Sequence, residues 1–195
     1  MTSAEVAEVG LLAEMLTRYR PSSAVEAADL DRVRALLAAG DDPWSRSTPL
    51  HVTVSATIVH RATRRVLLRW HARQQAWLQV GGHADPGETD PLRVLLRESE
   101  EETGLSDLTP WPDSSMIHLV IVPVAAGGHE PSHEHADLRF VLQTRTPQAV
   151  RPENASAPLR WLSVEQAREA TAEANVRETL SRVEHLLEHA PGNTR

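Results

Sequence analysis

A mixed β-sheet held between helices, an α/β/α sandwich, is the fold class that the sequence predicts. Three observations carry it. Runs that alternate with period two lie on both sides of one strongly marked helix. The other helical periodicity falls near the two ends of the chain. The 195 residues are 41% hydrophobic, enough for one domain with a real core. With one Phe and one Tyr, that core must be built from Leu, Val, Ile and Ala, with five Trp as large anchors.

Taken in order, residues 3–19 read as a helix with Val9, Leu12 and Leu16 on one side, ended by Pro21. A second helix over 24–39 keeps Leu30, Val33 and Leu37 in phase and stops at Gly40. Together they form an N-terminal helical extension over residues 1–48, expected to pack on the domain that follows rather than to pair with a second copy as a homodimer. From His51 the period changes to two. Val52, Val54, Ala56 and Ile58 alternate with polar neighbours, as in a half-buried strand. A turn at 60–63 leads to a strand over 64–71, and a short strand over 76–80 delivers the chain to Gly81 and Gly82. Ile117 to Val124 is nearly continuous apolar and suits a central strand. Asp137 to Thr144 alternates, and Leu159 to Leu162 is a short strand. Ser163 with Gln166 is a capping box. Asn175 with Glu178 opens the last helix, which carries Val176, Leu180, Val183 and Leu187 in phase. Pro191 to Arg195 is expected to fray.

Residues 81–105, GGHADPGETDPLRVLLRESEEETGL, carry the chemistry. They read as loop, helix, loop. Gly81 and Gly82 let backbone approach a ligand closely. Asp85-Pro86-Gly87 is turn chemistry. Asp90-Pro91 is an N-cap followed by proline at the first helical position, and Gly104 is a left-handed stop. Leu92, Leu95, Leu96, Ser99 and Thr103 share a face that packs on a sheet. Glu98 and Glu102 project together from another face, flanked by Glu101. Three such carboxylates repel one another unless a cation sits among them, and hard oxygen ligands suit Mg²⁺ or Mn²⁺.

This stretch resembles the Nudix box, the signature of Nudix hydrolases. Gly82, five residues, Glu88, then Arg97, Glu98, Glu101, Glu102, Gly104 and Leu105 match its pattern. Eight residues rather than seven separate Glu88 from Arg97, and Ser99 stands at an apolar position. The helical stripe is unbroken from Leu92 onward, so the extra residue belongs in the turn over 84–90. That placement puts the Glu88–Arg97 contact at risk and leaves Glu98 and Glu102 facing the glycine pair. The resemblance implies a Nudix-like sandwich over residues 49–190. It also implies a metal-dependent hydrolase that cleaves the diphosphate of a small nucleoside diphosphate linked to another moiety by attack of water. Mg²⁺ is the implied cofactor, with Mn²⁺ as an alternative. Its ligands are Glu98 and Glu102, with Glu101 a third and the Gly81 carbonyl completing the set. Arg97 orients a glutamate with Glu88 as its partner, and the base comes from Glu98 or Glu101. A catalytically silent Nudix-like ligand-binding or regulatory module is the alternative, marked in relatives by loss of the glutamates. An isoprenoid-diphosphate isomerase on this fold would use a cysteine in relatives, and the chain has none.

Histidine is the other chemical feature. His83 follows the glycines, and His129, His133 and His135 lie in GGHEPSHEH. His83, His133 and His135 are candidates for substrate contact. A polar loop is expected here over a dedicated zinc site. Trp77 and Trp161 are expected as core anchors rather than base-stacking platforms. A net charge of −7 argues against a nucleic-acid binder. The absence of a leader or a long apolar run makes a cytoplasmic protein with no membrane contact the expectation.

Overall fold

The computed structural model describes residues 3–127 and 131–189, with side chains from residue 10 onward in the first helix. The expectations for the Val9 side chain, for His129 and for Pro191 to Arg195 lie outside these residues. Helices α1 (Ser3–Arg18) and α2 (Ala24–Ala39) come first. Strands β1 (Leu50–His60), β2 (Arg65–His71), β3 (Ala76–Leu78) and β4 (Val80–His83) precede α3 (Pro91–Thr103). Then follow β5 (Thr109–Pro110), β6 (His118–Val124), β7 (His133–Gln143), β8 (Leu159–Ser163), α4 (Val164–Ala170) and α5 (Ala174–His189).

All eight strands join one mixed sheet. Its axis is β1 and β7, which run parallel in register from Leu50↔Glu134 to Val59↔Gln143. Along its other edge β1 pairs antiparallel with β4 through Thr53–Ala56 and with β2 through Ile58–His60. One core gathers Val52, Val54, Ala56 and Ile58 of β1 with Val94 and Leu95 of α3 and Leu12, Leu16, Leu30 and Val33 of the N-terminal helices. A second joins Val59, Val66, Leu68 and Val141 to Val176, Leu180 and Val183 of α5. Helices thus cover the sheet, as the sandwich requires.

Four elements differ from the sequence reading. β1 is buried along almost its whole length, not half-buried. Its polar positions tolerate burial because they are hydrogen-bonded: the Thr53 and Ser55 hydroxyls donate to Asp137 at 3.1 and 2.8 Å, and Thr57 accepts from Gln79. The segment 76–83 is two strands, and the glycine pair lies inside β4 against β1 rather than in a loop. β6 is not central; among the described strands it pairs only with β7. Its apolar character fits an edge roofed by the helical pair. The Leu119 N–H donates to the Tyr19 hydroxyl at 3.1 Å, and the Ile121 N–H donates to Asp29 of α2 at 2.9 Å. Asn175 lies inside α5, and its side-chain oxygen accepts from Arg139 at 2.9 Å.

The helical pair packs on the domain through charge as well. Glu26, at the start of α2, is buried and accepts from both Arg182 terminal nitrogens, at 2.8 and 3.1 Å. It also accepts from the Tyr19 hydroxyl and the Ser22 N–H. Burial alone would raise its carboxyl, but Arg182, Tyr19 and Ser22 outweigh that and hold it far below the usual range.

Helix α3 is an unbroken α-helix. The Asp90 side chain accepts from the N–H groups of Leu92 and Arg93, and Gly104 closes the helix at φ 67°. Ser99 is fully buried on the face that meets the sheet, and its hydroxyl has no hydrogen-bond partner. An unpartnered buried hydroxyl is a cost, not a contribution. Ser99→Ala should therefore raise stability to urea by about 1 kcal/mol. Ser99→Leu should lower it by about 1–3 kcal/mol through overpacking. A loss on Ser99→Ala would mean that the hydroxyl has a partner.

Candidate active site

The end of β4 and the exposed side of α3 form the site. Gly81 stands at φ 143°, and a side chain there would run into the backbone of Val54 and Ser55 on β1. Only glycine fits so close an approach. At Gly82 the obstruction is Glu98: a Cβ would lie 2.5 Å from a Glu98 carboxylate oxygen. The glycine pair therefore leaves room for a carboxylate against strand backbone.

Glu102 accepts from the Gly81 N–H at 3.0 Å and pairs with Arg69 of β2 at 3.2 Å. Burial pushes its carboxyl up to about 7, against the pull of Arg69 and Gly81, with Glu98 and Glu153 adding to the rise. Glu98 is also raised, chiefly by burial, although Arg97 lies 3.0 Å away. Two carboxylates thus stand partly desolvated at one backbone step, each paired with one arginine. Glu101 is more exposed and meets Arg97 at 3.2 Å.

Arg97 ties the loop to the helix. Its Nε lies 3.0 Å from one Glu88 oxygen, and its Nη2 lies 2.6 Å from the other. The same Nη2 donates to the His83 carbonyl at 3.0 Å. The hydrogen bonds to Arg97 hold Glu88 below its ordinary value. The contact expected to suffer from the extra residue is intact. The turn absorbs the length: Glu88 N–H donates to the Asp85 carbonyl, and Gly87 takes φ 91°. Loops accept an added residue at small cost, whereas one inside α3 would rotate the following glutamates by about 100°.

Beside the glycines lies a cleft of about 220 Å³, bordered by Thr53, Ser55, Gly81, Gly82, His83, His135, Asp137 and Arg139. Its polar floor is preorganised. Asp137 accepts from Thr53, Ser55 and Arg139, and Arg139 donates on to Asn175 and Thr179. A larger cavity of about 450 Å³ lies at the opposite end of β1 and β7, around His60, Asp107 and Arg145, with no residue of the 81–105 stretch in its lining.

His83 and His135 border the cleft. They meet His51 and His133 in a cluster: the His83 Nε2 lies 3.2 Å from the Nε2 atoms of both His51 and His135, and the His133 and His135 Nε2 atoms are 3.1 Å apart. Burial pushes His83 down to about 3, with His135, Arg46, His51 and His133 contributing. Trp77 packs edge-on against Trp70, and the Trp161 indole donates to the Pro147 carbonyl.

Sequence reasoning missed Arg69, His51, Asp137 and Arg139. Arg69 carries no local signal, since only the pairing of β2 brings it to Glu102. His51 was visible as the first residue of an alternating run, but its alignment with His135 comes from the parallel pairing of β1 with β7.

A family model for the NUDIX domain matches residues 49–183. A NUDIX-family hydrolase from Clostridium perfringens superposes with a TM-score of 0.55 and 26% identity, over 70% of this chain and 97% of that one. The Ap4A hydrolase of C. elegans, in a binary complex, gives a TM-score of 0.57 and 20% identity over 70% of this chain and 97% of that one. The dihydroneopterin triphosphate pyrophosphohydrolase of E. coli gives 0.53 and 19% over 71% and 96%. At those identities the last two show a shared fold. No curated protein sequence matches the chain significantly.

Proposed function

The chain belongs to the NUDIX family, and we propose that it hydrolyses the diphosphate of a nucleoside diphosphate linked to another group, with Mg²⁺ or Mn²⁺ as cofactor. One observation carries the reading: Glu98 and Glu102, both raised by burial, meet the Gly81–Gly82 backbone at a step that only glycine leaves open. A divalent cation suits this donor set, because it would offset the desolvation that raises both carboxyls.

Glu98 and Glu102 would hold the metal, with Glu101 and the Gly81 carbonyl as further ligands. When bound, it would offset diphosphate charge and make water a better nucleophile at neutral pH. The chain's own residues do the rest. Glu88 anchors Arg97, and Arg97 fixes the Glu98 carboxylate at 3.0 Å. The proton of the attacking water goes to Glu98 or Glu101; burial makes Glu98 the more basic than an ordinary glutamate. The cleft between β4 and β7 receives the substrate, over the floor that Thr53, Ser55, Asp137 and Arg139 form by bonding to one another, with His83 and His135 at its wall. His133 is outside that lining and serves substrate only through His135.

The Ap4A hydrolase and the dihydroneopterin triphosphate pyrophosphohydrolase act on phosphoanhydrides of nucleoside or pterin groups, as their names state. This suggests screening nucleoside triphosphates, nucleotide sugars, ADP-ribose and dinucleotides with Mg²⁺. Turnover that stops with a chelator and returns with Mg²⁺ is expected for at least one class. Binding of such compounds without product would favour the silent module instead.

A further inference from the structure

We propose that His51, His83, His133 and His135 form a second metal site, one that takes a single transition-metal ion through imidazole nitrogen, with Zn²⁺ the ion the ligands suit best. The residues come from three strands: His51 from β1, His83 from β4, and His133 and His135 from β7. The ligand atoms of His51, His133 and His135 lie within 4.8 Å of one another. His83 joins through its Nε2, 3.2 Å from those of His51 and His135. A tetrahedral Zn²⁺ with nitrogens at about 2.0–2.1 Å separates them by roughly 3.3 Å. Three of the pairs already stand at 3.1–3.2 Å.

The tautomers point the same way. The His51 Nδ1 lies 2.8 Å from the Thr48 carbonyl, and the His133 Nδ1 lies 2.9 Å from the Pro131 carbonyl. A carbonyl only accepts, so each Nδ1 carries the proton, and each neutral ring turns an Nε2 lone pair toward the cluster. Backbone carbonyls orient zinc-ligating histidines in this manner.

The Nε2 atoms then run His51, His83, His135, His133, with lone pairs at both ends. If His83 and His135 both carry an Nε2 proton, two N–H groups face each other at 3.2 Å. If only one carries it, two lone pairs meet at an end of the row. If neither does, every contact is lone pair against lone pair. No arrangement of four neutral imidazoles makes all three contacts favourable. A cation among His51, His133 and His135 turns their lone pairs to use and leaves His83 free to adjust beside them. An added proton would also resolve the row, with a His133 imidazolium donating to His135, and the Zn²⁺ titration separates the two.

His51, His133 and His135 form the convergent set and His83 stands beside it, so the ion would fasten the start of β1 to β7 next to the strand that carries the glycine pair. The site shares no residue with the carboxylates proposed for Mg²⁺, while His83 and His135 also border the substrate cleft.

The test uses the untagged full chain, stripped with a chelator and titrated with Zn²⁺ and with Co²⁺ near neutral pH. One equivalent of Zn²⁺ should bind and raise the melting temperature, and Co²⁺ should show the visible d–d absorption of tetrahedral nitrogen ligation. Glu98→Gln with Glu102→Gln should leave both readouts in place. His133→Ala should weaken Zn²⁺ by more than about 100-fold, beyond the effect of losing an outer-shell partner. His133 is only partly buried, so this variant should fold; circular dichroism confirms it, and His83→Ala provides a second variant. Absence of the tetrahedral spectrum, or Zn²⁺ affinity unchanged in both histidine variants, would overturn the site. Zn²⁺ binding lost in the glutamate variant and kept in the histidine variants would place the ion at the carboxylates and overturn it equally.

Discussion

Glu102→Gln should cut turnover by about three orders of magnitude or more while leaving the protein folded, consistent with the size of effect expected from removing a group that stabilises charge in the transition state. The amide can still accept from the Gly81 N–H, which the carboxylate meets at 3.0 Å, so the backbone contact survives and the negative charge does not. Stability supplies the second readout. The Glu102 carboxyl is raised from 4.5 to about 7 in the folded chain, so the folded state prefers the protonated form. Its contribution is fully present below 4.5 and is lost as pH rises through about 7. Without divalent metal, the parent should therefore lose stability between these limits, and Glu102→Gln should lose less. Added Mg²⁺ should recover the loss in the parent alone. Steady-state kinetics beside thermal melts across that range would check both, and a variant as active as the parent would remove Glu102 from the metal site.

Glu26→Ala should be the most destabilising single change in the N-terminal region, at about 3–5 kcal/mol, the range for breaking one side of a buried ion pair. It leaves Arg182, whose guanidinium lies 2.8 Å from Glu26, with the more exposed Glu178 at 3.1 Å as its carboxylate partner, and removes the acceptor for Tyr19 and Ser22. The pH dependence runs opposite to that of Glu102. The Glu26 carboxyl is held below its ordinary 4.5, so its stabilisation is present above 4.5 and is lost as pH falls toward the folded value. Glu26→Gln should accordingly flatten the acid limb of the stability profile. Urea unfolding at several pH values measures both effects; a loss under about 1 kcal/mol, the scale of an exposed pair, would show the pair to be solvated.

The two ends of α3 were legible because local chemistry sets them: Asp90 and Gly104 act within a turn of where they stand, and neither needs a distant partner. The same holds for α2 and Gly40, and for the capping box of Ser163 and Gln166. The carboxylate face of α3 was legible because helical spacing alone brings Glu98 and Glu102 together. What failed was long-range. β6 reads as a central strand because hydropathy reports burial but not the element that supplies it, and here helices take the place of a strand. The glycine pair reads as a loop because its strand character comes from β1. The histidine cluster joins residues more than 80 positions apart in sequence through the β1–β7 register, which no local pattern encodes.

The roof over β6 separates two units that usually coincide. The family match begins at residue 49, yet Leu119 and Ile121 on β6 donate to Tyr19 and Asp29, before that boundary. Homology therefore marks out a smaller piece than the one that closes its own hydrogen bonds. Cut at the homology boundary, the chain would present a bare strand edge, and strand edges recruit one another. Monomers would become templates, and the concentration of the protein would enter its folding equilibrium. In this protein the N-terminal helices occupy that edge, with Tyr19 and Asp29 taking its N–H groups.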